Sequence, residues 1–360
     1  MRHSPLDAIH RAAGARMVPF GGWEMPIQYT GVLDEHRACR EHAVVFDVSH
    51  LGAVWVRGGG ALATLQYALT NDLNRIAVGR AQYSHHLADD AHVVDDIIVW
   101  WVGDDDLLVM PNASNTDPLV GSLEAIALSH GGGNATVADV TATRAVLAIQ
   151  GPEARARLAG VDDALAAPGR FRVAAVTWRG HECLVAGTGY TGEDGIEIHV
   201  PAAGAPELWD AVVEAGLVPA GLGARDTLRL EMGYPLHGHE LGPGITPLQA
   251  GLGWVVRFDK GDFKGRAALE QERDAGVTRL LRGLVVDGRQ VPRTEYAVSI
   301  DGNAVGEVTS GNFSPTLGCG IALAFMPPAV EPGTAATIDI RGRPVAATVV
   351  DPPFVSQEGK

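Results

Sequence analysis

Two hydrophobic rhythms run along the chain, and the helical one fades before the end. Leu6, Ile9 and Ala13 recur at helical spacing and predict a short amphipathic helix within residues 3–18. Leu33, His36 and Cys39 predict a second helix over 29–43. Between them, Pro19 to Pro26 reads as a loop punctuated by Gly and Pro. Residues 44–56 read as one strand up to the break Arg57-Gly-Gly-Gly60, and 61–70 as a helix. The clearest hairpin runs from His92 to Val102, turns at Gly103-Asp-Asp-Asp106 and returns through Leu107-Leu-Val-Met110. Asn112 or Ser114 is then placed to cap a helix reaching about Leu128.

A second mixed unit follows. It has a strand over 145–150, a helix after Gly151-Pro152 and a hairpin made by 171–178 with 182–186. A strand over 195–200 and helices over 201–215 and 222–232 complete it. From Leu281 onward helical periodicity vanishes. Short strands alternate with turns at Asp301-Gly-Asn303 and Arg341-Gly-Arg-Pro344, which predicts a small β-barrel or sandwich. The polar stretch Glu270–Thr278 reads as the boundary, dividing the chain into 1–270 and 279–360. No repeat or low-complexity segment interrupts this order.

Composition narrows the class. The 360 residues are 46% hydrophobic and 20% charged, which is ordinary globular composition. A net charge of −15 argues against binding nucleic acid or an anionic membrane surface without sequence preference. Three widely spaced cysteines, Cys39, Cys183 and Cys319, give no disulfide framework and suit a cytoplasmic protein. No apolar run is long enough to span a bilayer, and the N-terminus does not read as a secretory signal. Glycine is enriched, at 45 of 360 residues, so many loops bring backbone close to something else.

Four constellations carry candidate chemistry. Gly187-Thr-Gly-Tyr-Thr-Gly192 matches G-x-G-x-x-G, but Glu193-Asp194 and a strand follow it. A dinucleotide site needs a helix N-terminus there, and two carboxylates repel a pyrophosphate. The loop instead presents Tyr190 and leads to Glu197, whose side chain points opposite to Ile196 and Ile198 and is either solvent-facing or functional. Asp95-Asp96 sit inside a strand that is apolar on both faces. At least one carboxylate therefore needs a partner or a raised pKa, unless a bulge or sheet edge places both in water. Arg225 and Arg229 stand at i,i+4 on a predicted helix, suited to an anionic ligand or to ion pairs with Asp226 and Glu231. His36, Cys39 and His42 fan over about 120° of a helix, and no second half-site is near, so neither they nor His237-x-His239 read as metal ligands. No G-x-S-x-G elbow and no P-loop lysine motif occurs.

Six strings say more. They are Phe20-Gly-Gly-Trp-Glu-Met-Pro-Ile-Gln-Tyr29, Phe46-Asp-Val-Ser-His50, Val94-Asp-Asp-Ile97, Thr188-Gly-Tyr-Thr-Gly-Glu-Asp-Gly195, Gly221-Leu-Gly-Ala-Arg-Asp226 and Thr309-Ser-Gly-Asn-Phe-Ser-Pro-Thr-Leu317. In this order and spacing, the chain from Pro5 to Phe354 resembles the aminomethyltransferase (T-protein) family of the glycine cleavage system. The resemblance implies an α+β fold: a two-lobed folate-binding region plus a C-terminal β-barrel, arranged around a central channel. It implies transfer of a methylene group from an aminomethyl-lipoyl arm on H-protein to tetrahydrofolate, with release of ammonia and no metal.

Carried over position by position, Asp96 matches the acid beside the reactive folate nitrogens and Glu197 the carboxylate that grips the pterin edge. Asn112, Tyr190 and Arg225 match folate-binding positions. One carboxylate can accept two adjacent N–H donors in a fork, and an arginine suits the anionic folate tail near the mouth of the site. Gly187 stands where many family members carry arginine, and the tail after Phe354 lacks the tyrosine that some relatives place near the ligand. The nearest alternative is a folate-dependent demethylase of the same superfamily, acting on a small S-, O- or N-methyl substrate. A non-catalytic folate-binding relative that supports iron–sulfur assembly would carry a Lys-Gly-x-Cys signature, which this sequence does not have.

Overall fold

The computed structural model describes residues 1–356. The chain forms two compact units. The first comprises 1–86, 95–225 and 257–264, and the second comprises 87–94, 226–256 and the chain from Gly265 onward.

Two larger sheets and the layer between them form the centre of the first unit, beside a small three-stranded sheet in the order Arg2–His3, Trp23–Gln28, Arg16–Phe20. A six-stranded sheet runs in the order Val173–Trp178, His181–Ala186, Gly195–Pro201, Arg144–Gln150, Val44–Asp47, Val218–Pro219. Ile196, Ile198 and Val200 point to one face and bury against Leu208, Trp209 and Val212 of the helix Ala205–Glu214. Glu197 and His199 therefore point to the other face. A five-stranded sheet runs in the order Arg80–Leu87, Val93–Gly103, Asp106–Met110, Val54–Arg57, Thr136–Asp139. Its outer face, with Ile97, Val99, Leu107 and Val109, is covered by the helices Ala61–Ala68 and Thr116–Ser129. The inner faces of the two sheets meet through Trp55, Trp100, Leu108 and Met110 on one side and Val173, Leu184 and Ala186 on the other. Strand alternation places Asp96 on that inner face and turns Asp95 toward the covering helices.

The second unit contains a closed barrel in the order Leu280–Val286, Cys319–Met326, Asn303–Ser314, Ala297–Ile300, Ala335–Asp339, Pro344–Val350. Closure leaves no unpaired sheet edge, and Leu284, Val298, Val308, Ile338 and Val349 fill the interior.

Several local expectations change. The first helix stops at Ala12, Gly14 turns with a positive φ of 75°, and Arg16–Phe20 is a strand paired with Trp23–Gln28, so the expected loop 19–26 is mostly a hairpin. Residues 44–56 form two strands in different sheets, because the chain turns after Asp47. That carboxylate accepts hydrogen bonds from the Ser49 amide, from the Ser49 hydroxyl and from Ser4, and it pairs with His10 at 2.8 Å. Part of the polar boundary is a helix, Arg266–Ala275, anchored by buried Leu269 and an i,i+4 pair between Arg266 and Glu270. Neither Asn112 nor Ser114 caps the following helix. Asn115 holds the cap position, and its amide is committed to Asp95.

Candidate active site

Asp95 and Asp96 are neighbours in sequence and opposites in environment. Asp95 is fully buried. Its Oδ2 accepts from the Asn112 backbone N–H at 3.1 Å, and its Oδ1 accepts from the side-chain amides of Asn112 at 2.8 Å and Asn115 at 2.9 Å. Burial still pushes its pKa up to about 8, helped by the adjacent Asp96, against the pull of those donors. Near neutral pH Asp95 is thus largely protonated. Asp96 is half-buried and accepts from Asn112 Nδ2 at 2.9 Å and from the Tyr83 hydroxyl at 3.0 Å. Asn112 therefore bridges both acids, which explains an asparagine immediately after the returning hairpin strand.

Glu197 is 3% exposed, so the solvent-facing alternative does not hold. Its cross-strand neighbours are Ala148 and Ala186, whose small side chains leave room above the carboxylate. Oε2 accepts from the Thr188 hydroxyl at 2.5 Å. Oε1 accepts no hydrogen bond among the described residues and faces Arg225 Nη2 at 3.8 Å. The Arg225 side chain is only 12% exposed and held beside this carboxylate, so it is not at an open mouth as the anionic-tail expectation had it. Its guanidinium lies over the rings of Tyr190 at 5.2 Å and Phe46 at 5.8 Å, and its buried Nη1 has no hydrogen-bond partner. Burial lowers the Arg225 pKa, opposed by the nearby negative charge of Glu197. An orphaned guanidinium N–H and a half-used carboxylate side by side form a donor–acceptor pair suited to a polar ligand edge.

The predicted residues thus fall into two groups, Asp96 with Asn112 and Tyr190 with Glu197 and Arg225. Tyr83 joins them. Its hydroxyl binds Asp96 and sits in the field of both Asp96 and Tyr190, and burial first, then these charges, raise its pKa well above the usual value. Arg229 does not pair with Arg225. It is bound by Asp226, Glu240, Ser310 and the Tyr234 carbonyl.

The remaining motifs resolve into structure. The loop 187–192 is followed by the strand Gly195–Pro201, so no helix dipole faces it. A Cβ at Gly187 would collide with the Gly169 backbone, so this chain has no room there for a side chain such as the expected arginine. His36 and Cys39 are buried while exposed His42 faces Glu153, and His239 bonds the Thr309 carbonyl, so neither histidine motif gathers as a metal site. In the tail, residues 357–360 lie outside the described residues. Sequence reading missed Tyr83, Asn115 and Thr188. Thr188 lies inside a quoted string and next to the loop's tyrosine, whereas Tyr83 comes to Asp96 only through strand pairing.

Known proteins place this geometry in a family. Residues 6–260 match the GCVT N-terminal domain and residues 279–356 the glycine cleavage T-protein C-terminal barrel domain. An aminomethyltransferase from Moorella thermoacetica is 46% identical over 368 residues, covering 100% of this chain and 99% of that protein. One from Mycobacterium avium is 47% identical over 363 residues, covering 98% and 97%. The crystal structure of the glycine cleavage system aminomethyltransferase T from Bartonella henselae superposes with a TM-score of 0.93 at 33% identity, covering 99% of this chain and 98% of that one. The expected fold is therefore present, and the chain belongs to the aminomethyltransferase (T-protein) family of the glycine cleavage system.

Proposed function

We propose that Glu197 and Arg225 hold the pterin of tetrahydrofolate while Asp96 stands beside its reacting amine. The reaction is aminomethyl transfer. The methylene of an aminomethyl group on a lipoyl sulfur passes to tetrahydrofolate, and ammonia and the dihydrolipoyl arm leave. Nothing favours the demethylase alternative. Tetrahydrofolate supplies the nucleophilic amine, which relieves the chain of providing an activated Ser or Cys.

The observation that carries the site assignment is the half-used Glu197 carboxylate beside the orphaned Arg225 Nη1. Glu197 accepts two adjacent N–H donors of the pterin's aminopyrimidine edge, and each charge-assisted bond is worth roughly 1.5–3 kcal/mol. Arg225 lies beside Glu197 and offers Nη1 to an acceptor on the ligand. Tyr190 and Asn112 shape the pocket and orient these groups. Asp96 places negative charge where positive charge develops during transfer, and protonated Asp95 behind it keeps the pair at a single charge.

The donor of the methylene is lipoylated H-protein, engaged transiently. The protein works in the cytoplasm, in keeping with its unpaired cysteines, and binds neither nucleic acid nor membrane, in keeping with its charge of −15. Among the described residues no helix is long and apolar enough to cross a membrane. The division into a folate-binding region, 1–270, and a barrel domain, 279–360, belongs to the same reading. It is supported by a barrel that starts at Leu280 and by family matches that end at 260 and resume at 279. The test is ammonia release from aminomethylated H-protein with and without tetrahydrofolate. Release that ignores both tetrahydrofolate and the lipoyl arm would refute the proposal.

A further inference from the structure

Tyr83 and His85 lie two apart on the strand Arg80–Leu87 and so share one face. His85 Nε2 is 3.1 Å from the Tyr83 hydroxyl, which in turn donates to Asp96 Oδ2 at 3.0 Å. The two rings meet edge-on at 84°, with centroids 5.3 Å apart. A tyrosine hydroxyl has one proton, and a carboxylate only accepts. With that proton directed to Asp96, the Tyr83 oxygen is an acceptor toward His85, and the His85 ring proton is on Nε2. The other ring nitrogen agrees. His85 Nδ1 is buried without a hydrogen-bond partner, a position that suits a bare nitrogen better than an N–H. Burial pushes the His85 pKa down to about 3, so the ring stays neutral with a single N–H at working pH.

We propose that His85 is a positioning residue for the transfer reaction: its Nε2–H fixes the Tyr83 hydroxyl as a donor aimed at Asp96. The proposal rests on the reading of Asp96 as the acid beside the reacting amine. Without the His85 N–H, the Tyr83 oxygen loses that donor, and the hydroxyl is less firmly held toward the carboxylate. Asp96 then keeps its place in the sheet and its bond from Asn112 but loses the hydrogen bond that orients its Oδ2 during transfer. No change in the charge of His85 is involved, so the role is one of direction, not titration.

Gln and Met have nearly the same shape, and only Gln carries an N–H donor. His85→Gln and His85→Met are therefore compared, each alone and in a Tyr83→Phe background, by H-protein-dependent methylene transfer. Alone, His85→Met lowers kcat roughly 5–10-fold, as one neutral hydrogen bond warrants, while KM for tetrahydrofolate stays within about twofold. His85→Gln recovers most of that loss. With Tyr83→Phe present, the Gln and Met variants differ by less than about twofold, because the group they act through is gone. Equal impairment by Gln and Met, no impairment by Met, or an undiminished Met-to-Gln ratio in the Tyr83→Phe background overturns the proposal. Asp96→Asn, measured alongside, separates the two claims. If it leaves turnover intact, the reading of Asp96 has failed. If it abolishes turnover while the His85 variants behave alike, only the role of His85 falls.

Discussion

The first unit buries acid in two ways. At Glu197 a single carboxylate lies between alanine neighbours, bonded by one threonine hydroxyl and faced by a buried arginine. At Asp95–Asp96 two adjacent carboxylates share the Asn112 side-chain amide as a donor, and the Asn115 amide also bonds Asp95. In the first site a buried guanidinium stands 3.8 Å from the carboxylate. In the second site burial and the neighbouring carboxylate push Asp95 toward its uncharged form. The first arrangement suits gripping a ligand's donors, and the second suits presenting one charge beside a reacting group.

The sharpest break of this contrast is Asp96→Asn. It removes the charge and keeps the shape, so turnover falls by roughly 10²–10³-fold while folate affinity changes only a few-fold. Equal losses in kcat and in affinity would make Asp96 a binding group like Glu197. Glu197→Ala acts on the other side. Calorimetric titration with tetrahydrofolate should show binding weakened by about 2–4 kcal/mol, and an unchanged dissociation constant would remove the fork.

The third prediction sharpens the difference in charge. Asp95 has a folded-state pKa near 8, above its unfolded value of ~3.9. Its contribution to stability is therefore complete below about pH 4 and is lost as the pH rises toward 8, with a slope of at most about 1.4 kcal/mol per pH unit. Denaturant unfolding between pH 5 and 9 should show a steeper decline for the wild type than for Asp95→Asn. Parallel curves would mean that Asp95 is ionised in the fold. The smallest effect is expected of Thr188→Val, which removes the Glu197 Oε2 donor and should weaken folate binding by about 1 kcal/mol, with kcat unchanged.

Much of this was legible in the sequence, and the residues show why the rest was not. The hairpin over 93–110, the C-terminal barrel strands and the alternation that sets Glu197 against Ile196 and Ile198 follow from local pattern. The requirement that a carboxylate of the Asp95–Asp96 pair find a partner also followed, but not which one. Burial fell on Asp95 because the covering helix starts at Thr116 and Asn115 reaches back to it, a tertiary detail. Tyr83 and His85 joined the site only through the neighbouring strand, whose partner and register no local signal sets. The two-strand reading of 44–56 was likewise hidden, since the turn after Asp47 depends on Ser4 and His10 from far earlier in the chain.

The most direct measurement is a crystal structure with bound tetrahydrofolate. The account predicts both Glu197 oxygens within about 3 Å of two N–H donors on the aminopyrimidine edge, and Asp96 beside the reacting amine. A pterin bound away from the inner faces of the two sheets, with Glu197 Oε1 still lacking a donor, would contradict it.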